Sequence, residues 1–328
     1  MKEEVIEIYK RPKLKEPILI AAWPGMGEVA LKAAKYLKEK LKPVEFARLD
    51  PSEFFRPTGI SIKENLIEVP KPAEGKFYYW RNKAGAHDLI IFTSDLQPSL
   101  EKGSEYAHRI LDLAQEFRVR RIYTFAAMPV PIDHAKEPEV WATATHKGLI
   151  RELVPHQINL MRDGHISGLN GLLLGVAKER GLEGVCLLGE LPLYAVQMEN
   201  PKSSLAVLKA LTGLLDIKVD LRELEAHAKY VEEQIGKLVE YLKAPDQLGP
   251  IKDEEIERIK KELSTFTKLP KSARGKIERL FKEAQMDISK AYELKRELDK
   301  WDVYKEYEDK FLDLFREKGK GREGKDLG

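Results

Sequence analysis

Three apolar runs constrain this chain more than any other feature of it. Ile18-Leu19-Ile20-Ala21-Ala22-Trp23, Leu89-Ile90-Ile91-Phe92-Thr93 and Gly184-Val185-Cys186-Leu187-Leu188 are too short for buried helices. They are also too uniformly apolar for strands with one wet face, so each reads as a strand buried on both sides. Between them stand stretches of helical spacing: 29–41, 106–117, 172–180 and 203–215. In the second of these, Ile110, Leu111, Ala114 and Phe117 share one face. Further strands are read at 44–49, 60–69, 76–80 and 121–125. Strands alternating with amphipathic helices imply a three-layer α/β fold with a mainly parallel sheet.

The rhythm changes near Val219. Leu221, Leu224, Ala228, Val231, Ile235, Leu238 and Leu242 recur at steps of three and four, the spacing of a helix that buries one narrow stripe. The stripe suits either a helix packed within the chain or an oligomer contact. Pro245, Gly249 and Pro250 interrupt it. Two or three further helices are read, one carrying Ile256, Ile259 and Leu263, and a longer one Ile277, Phe281, Ala284, Ile288, Ala291, Leu294 and Leu298, with Pro270 between them. An aromatic-rich stretch, 301–315, then leads into a polar tail. The domain reading is an α/β domain over 1–220, a helical, coiled-coil-like extension over 221–316, and a tail over 317–328.

Composition excludes several classes. The 56 Lys and Arg residues nearly balance the 54 Asp and Glu, so no whole-protein field draws nucleic acid. The single cysteine, Cys186, lies inside an apolar run and reads as a small buried hydrophobe. One cysteine makes no intramolecular disulfide and no cysteine metal cluster. The N-terminus lacks the apolar core of a signal peptide, and no apolar run approaches the ~20 residues that span a bilayer. A cytoplasmic, non-membrane protein is expected.

The sharpest local motif is Gly25-Met26-Gly27-Glu28-Val29-Ala30, a G-x-G-x-x-A that follows a strand and opens a helix. Such loops present amides at a helix N-terminus, where an anion is favoured. Asp50 ends the next strand, near the position of a ribose-binding acid. Against a dinucleotide stand Trp23-Pro24, which stiffens the turn, and Glu28, a carboxylate beside the amides. Asp50, followed by Pro51-Ser52, also suits a turn. A second glycine cluster at 164, 168, 171 and 175 suits close helix–strand packing, or a ligand-facing or partner-facing loop at a helix start. His134, His146, His156 and His165 fall near one another in sequence, but no pair has the i, i+4 spacing of a zinc helix. No G-x-S-x-G elbow and no P-loop occur. Asp95 and Glu190 each follow or end a strand, where α/β sheets bind ligands and where turn-capping carboxylates also sit.

Taken in order, several segments resemble the proteasome assembly chaperone 2 family. They are Ala22-Trp23-Pro24-Gly25-Met26-Gly27-Glu28-Val29-Ala30, Asp88 to Phe92 with Asp95-Leu96-Gln97-Pro98-Ser99, and Tyr106 to Tyr123. Ile166-Ser167-Gly168-Leu169-Asn170-Gly171-Leu172-Leu173, Gly189-Glu190-Leu191-Pro192-Leu193-Tyr194 and Asn200-Pro201-Lys202-Ser203-Ser204 complete the set. The likeness spans residues 15–243. It implies a phosphorylase-like α/β fold, self-association, and protein partners that include proteasome subunits. It places Asp95, Gln97, Gly168, Asn170, Gly171, Glu190 and Tyr194 in motif loops. Two departures stand out. Phe125-Ala126-Ala127-Met128-Pro129 replaces the paired glycines frequent in relatives. Gly324-Lys325-Asp326-Leu327-Gly328 lacks the hydrophobic-Tyr-x ending by which some relatives dock on proteasome rings.

The resulting expectation is a non-catalytic, self-associating scaffold or assembly-chaperone-like protein. Its oligomer or partner seam would run along Leu224, Val231, Ile235, Leu238 and Leu242. The alternative is a nucleotide- or nucleoside-binding enzyme or sensor using Gly25, Met26, Gly27, Glu28 and Asp50. No metal and no cofactor is assigned.

Overall fold

The computed structural model describes residues 5–55, 60–63, 65–68, 73–243, 271–301 and 303–319. The chain divides into two compact units, the first closing at Leu221 and the second opening at Arg222.

The first unit is built on a nine-stranded sheet. Its strands are β1 (Ile6–Ile8), β2 (Ile18–Ala22), β3 (Val44–Leu49), β6 (Gly75–Trp80), β7 (Leu89–Thr93), β8 (Arg121–Val130), β9 (Val140–Ala144), β10 (Asn159–Leu160) and β11 (Glu183–Pro192). Across the sheet the order is β1-β3-β6-β7-β2-β8-β11-β9-β10. The interior strands β7, β2, β8 and β11 pair in parallel, and they include all three apolar runs. The flanking strands β6 and β9 pair antiparallel to this centre.

Alternation along the strands divides the core. Leu19, Ala21, Ile90, Phe92, Ile122, Cys186 and Leu188 join one apolar cluster with residues of α2 (Gly103–Glu116) and α4 (Leu169–Glu179). The alternate positions, Ile18, Ile20, Leu89 and Ile91, point to the opposite face. There α1 (Val29–Leu41) and α5 (Pro201–Leu214) pack on the sheet and on each other. A short helix α3 (Lys147–Leu153) follows β9. Aromatic rings fill the first layer: Trp23 lies 5.3 Å from Phe92, and Tyr106 lies 4.9 Å from Phe54, between ring centroids.

Several elements differ from the sequence reading. The stretch 60–69 is not one strand but a separate hairpin, β4 (Ser61–Lys63) with β5 (Leu66–Glu68). Asn65 turns it at φ +65°, a left-handed conformation that asparagine tolerates well. Strands β8 and β11 run to ten residues each, because each supplies the other's hydrogen bonds beyond the end of β2. Helix α4 begins at Leu169, three residues early, and α2 begins at Gly103. β9, β10 and α3 lack a run long enough to stand out in sequence.

The second unit is helical. It comprises α6 (Arg222–Lys243), α7 (Lys271–Met286), α8 (Ala291–Lys300) and α9 (Tyr304–Gly319). The apolar stripe from Ile277 to Leu298 is therefore carried by two helices rather than one. Asp287 breaks it: its side chain accepts a hydrogen bond from the Ser289 amide and caps a new turn. Ile277, Phe281, Ala284, Leu294, Leu298, Val303 and Phe311 form this unit's core, with Phe281 stacked on Tyr307 at 5.7 Å. Leu224, Val231 and Ile235 of the expected seam are already buried within the single chain. Leu238 and Leu242 continue the helical backbone, and their side chains lie outside the described residues. The stretch with Ile256, Ile259 and Leu263, and the tail from residue 320, also lie outside them.

Packing around the first cluster is tight enough to make a sharp expectation. A Cβ at Gly75 would sit 2.6 Å from Phe92 Cζ and 2.8 Å from Tyr106 Oη. Overpacking of this kind costs about 1–3 kcal/mol. Gly75→Ala is therefore expected to lower the unfolding midpoint by about 2–12 °C in a thermal melt, at about 2–4 °C per kcal/mol for a unit of this size.

Candidate functional site

The glycine loop lies where the topology makes a crevice. β2 leads into α1 on one face of the sheet, whereas its neighbour β7 leads into α2 on the other. The two loops diverge at the strands' carboxyl ends, the position at which open α/β sheets place ligands.

In this protein side chains span the gap. Gln97, from the loop after β7, donates through Nε2 to the Pro24 carbonyl at 2.7 Å. Its Oε1 accepts from the Leu169 amide at 3.0 Å, at the start of α4. Asn170 lies beside it, buried: its Oδ1 accepts from the Trp23 amide at 3.2 Å and its Nδ2 donates to the Trp23 carbonyl at 3.3 Å. One amide side chain thus pairs with both backbone groups of Trp23, as a strand would. Gly168 is bound to this arrangement, since its φ is +73° and a Cβ there would lie 2.7 Å from Gln97 Oε1. Gly171 sits equally close to the preceding turn, where a Cβ would lie 2.3 Å from the Ile166 carbonyl oxygen.

The glycine loop itself is tied to the segment after β11. The Gly27 amide donates to the Val196 carbonyl at 2.9 Å, and the Gly27 carbonyl accepts from the Asn200 amide at 2.8 Å. The Glu28 amide donates to Gly25 and the Val29 amide to Met26. Three amides of the loop are thus donated within the chain, unlike the open amide cradle that a pyrophosphate requires. Asp50 is not brought near: β6 and β7 stand between β3 and β2. Its carboxylate accepts from the Ser52 amide at 2.8 Å in a local turn, and that bond holds its pKa below the usual range.

The remaining motif residues hold the far side. Glu190 is buried, accepting from Trp141 Nε1 at 3.0 Å and from the Glu139 amide at 3.1 Å, which fastens β9 against β11. Tyr194 Oη accepts from the His134 amide at 2.8 Å. Lys202 Nζ donates to the Ala135 carbonyl at 3.0 Å. Asn200 caps α5 by accepting from the Ser203 amide at 2.9 Å, with Pro201 at the first helical position.

On top of these staples lies a mixed surface. Met26, Leu96, Leu100, Leu172 and Leu193 are all exposed, Leu100 almost fully at 98%. Between them run two ion pairs, Lys32–Glu199 at 2.9 Å and Lys35–Asp95 at 2.6 Å. Glu28 is partly buried among these charges. Burial, and then the nearby Glu199, push its carboxyl above the ordinary range. Its backbone is also left-handed, φ +52° and ψ +16°, costing a non-glycine residue roughly 1 kcal/mol. Deeper along α1, burial pushes Lys38 down to about 8, with Nζ donating to Thr93 Oγ1 at 3.2 Å and lying 3.9 Å from the Tyr78 ring centroid.

The sequence reading gave Gly25, Met26, Gly27 and Glu28 as a candidate ligand loop and Asp95, Gln97, Gly168, Asn170 and Gly171 as separate motif loops; the structure brings the two sets together at one rim. That reading missed Lys32, Lys35 and Glu199, and it gave Asn200 only as part of a motif segment. The signal for the two lysines was present, since residues 28, 32 and 35 follow one face of α1. Among the described residues no group of three or more His, Cys, Asp or Glu is placed to hold a metal ion. Burial pushes the Cys186 thiol up to about 12, which leaves it protonated. Among the described residues, no helix is long and apolar enough to cross a membrane.

Two outcomes follow from this geometry. Gln97→Ala strips partners from the Pro24 carbonyl and the Leu169 amide, and is expected to cost about 1–3 kcal/mol in urea unfolding. Glu28→Gln tests the raised carboxyl. Ionisation opposes folding at this position, so the penalty is absent at low pH and grows as pH rises past the unfolded value. The variant is expected to match wild type near about pH 4 and to melt higher near about pH 7.

Comparison with known proteins places this architecture. The model of the PAC2 family matches residues 19–239. An uncharacterized protein of Methanocaldococcus jannaschii is 30% identical over 251 residues, covering 75% of this chain and 93% of its own. Among solved structures, PbaB of Pyrococcus furiosus, an archaeal proteasome activator, is 35% identical, with a TM-score of 0.62 over 73% of this chain and 99% of that one. PbaA of the same organism, an archaeal homolog of proteasome-assembly chaperone, shares the fold at 24% identity and a TM-score of 0.56, over 74% and 95%. With this ordered set of loops and a match over two-thirds of its length, the chain belongs to the PAC2 family.

Proposed function

We propose that this chain is a non-catalytic, self-associating, assembly-chaperone-like scaffold of the cytoplasm that docks on proteasome components through the rim above β2, β7 and α4. The observation that carries this reading is the exposed set Met26, Leu96, Leu100, Leu172 and Leu193, on loops and the first turn of α4 held by Gln97, Asn170 and Asn200. Exposed apolar side chains interleaved with charge are the make-up of a protein interface. Loops pinned in advance by buried and part-buried hydrogen bonds lose little freedom on docking, and that loss is a main cost of association. The likeness to PbaB, a proteasome activator, supports proteasome components as the partner class.

The reading is tested by pull-down and native mass spectrometry of the full chain with archaeal proteasome core subunits. Met26→Glu together with Leu193→Glu is expected to leave the thermal midpoint unchanged, since both side chains are exposed, and to weaken capture at least tenfold. Capture by the double variant at wild-type strength would remove the rim from the proposal. Failure of the wild type to bind any core subunit would remove the partner class.

A further inference from the structure

The charges of the rim do not balance. Lys32 is taken by Glu199 at 2.9 Å and Lys35 by Asp95 at 2.6 Å. Glu28 is left over: among the described residues its carboxylate has neither an ion pair nor a hydrogen-bond donor. The charged groups that face it are Lys32 and Lys35 from α1, Glu199 from the segment before α5, and Asp95 from the loop after β7. Three carboxylates against two ammonium groups leave the patch one positive charge short. The shortfall does not lie at the open surface, because Glu28 is half-buried. A carboxylate drawn out of water without a partner is unfavourable, and a cation brought to it recovers that loss. Apolar side chains border the place. Met26 stands two residues before Glu28 and is 45% exposed, and Leu96 follows Asp95 and is 51% exposed.

We infer that the rim receives a partner segment that sets an arginine against the Glu28 carboxylate, with apolar residues on either side of it against Met26 and Leu96. Among the described residues no three His, Cys, Asp or Glu groups converge to hold a metal ion, so the cation that fits is an organic one. Guanidinium suits the place better than ammonium, because its fork bonds a carboxylate while its weakly hydrated flat face lies on apolar side chains. An acidic or purely apolar segment covering the same patch would leave Glu28 buried and unpaired, which opposes docking. The contact presupposes the docking role of the rim proposed above, but not that the partner is a proteasome component. It also requires Glu28 to be ionised. Burial and then Glu199 hold its carboxyl above the ordinary range. The advantage of arginine is therefore present near neutral pH and is lost as pH falls through that raised value, earlier in acidification than for an ordinary glutamate.

Two capped peptides test the contact without any natural partner: acetyl-Gly-Leu-Arg-Leu-Gly-amide, and the same peptide with citrulline, a neutral isostere, in place of arginine. Each is titrated to about 5 mM onto the isotope-labelled full chain and followed by NMR, which reads dissociation constants of millimolar order. The arginine peptide is expected to bind wild type at least about fivefold more tightly than the citrulline peptide near neutral pH. In Glu28→Gln the two are expected to bind alike, at the strength of the citrulline peptide on wild type. That variant keeps the size of the side chain and is expected to melt no lower than wild type, so a lost preference is not a loss of fold. Acidification is expected to erase the preference in wild type. Equal binding of the two peptides by wild type would overturn the arginine contact and leave the docking role of the rim standing. A preference that survives in Glu28→Gln would overturn it too, by moving the cation to Glu199 or Asp95. Binding of neither peptide would overturn both the contact and the rim as a docking surface.

Discussion

The rim depends on two amide side chains that occupy the divergence between the loops after β2 and β7. Gln97 joins the Pro24 carbonyl to the Leu169 amide, and Asn170 closes both backbone groups of Trp23. A loop leaving a buried strand exposes backbone donors and acceptors that water cannot reach, and leaving them unpaired costs more than any single bond returns. These two residues satisfy that requirement across three segments far apart in sequence. Gly168 and Gly171 follow as consequences, because the close approach of these segments leaves no room for a Cβ.

The central part of the fold was legible because burial on both faces writes itself into the sequence. The runs at 18–22, 89–93 and 184–188 are uniformly apolar because α1 and α5 cover one side of them and α2 and α4 the other. The edges were not legible, for a physical reason. β9 reads as Val140-Trp141-Ala142-Thr143-Ala144, half-wet and short, and it is held by Glu190 rather than by its own hydrophobicity. The hairpin was read as one strand because its turn, near Asn65, contains no glycine or proline. The split of the helical stripe after Met286 depends on one capping carboxylate, Asp287, that periodicity does not register.

The glycine loop shows where motif reading falls short. Its spacing is that of a nucleotide-binding turn, and the helix that follows is real. What spacing cannot reveal is the destination of the amides. Here they are donated to Val196, Gly25 and Met26, and the left-handed φ of Gly27 serves a packed turn against Leu191 and Asn200. The expected ribose acid fails for a topological reason. Asp50 does end the next strand in sequence, but that strand is not the next in the sheet.

The placement of apolar side chains completes the physical case. When the carboxyl end of a parallel sheet is closed by its own side chains, the residues beyond the closure have only the outside to face. Met26, Leu96 and Leu172 each sit within a few residues of a stapling group, at Gly27, Gln97 and Asn170 respectively. Exposed leucines and methionines on mobile loops would cost solubility and offer a partner an ill-defined target. Fixed by buried bonds, the same side chains form a surface of constant shape, with the Lys32–Glu199 and Lys35–Asp95 pairs setting its charge pattern. Glu28 fits the same logic. A left-handed backbone and a partly buried carboxylate both oppose folding at this position. Costs of that sort collect where a surface has work beyond holding the fold together.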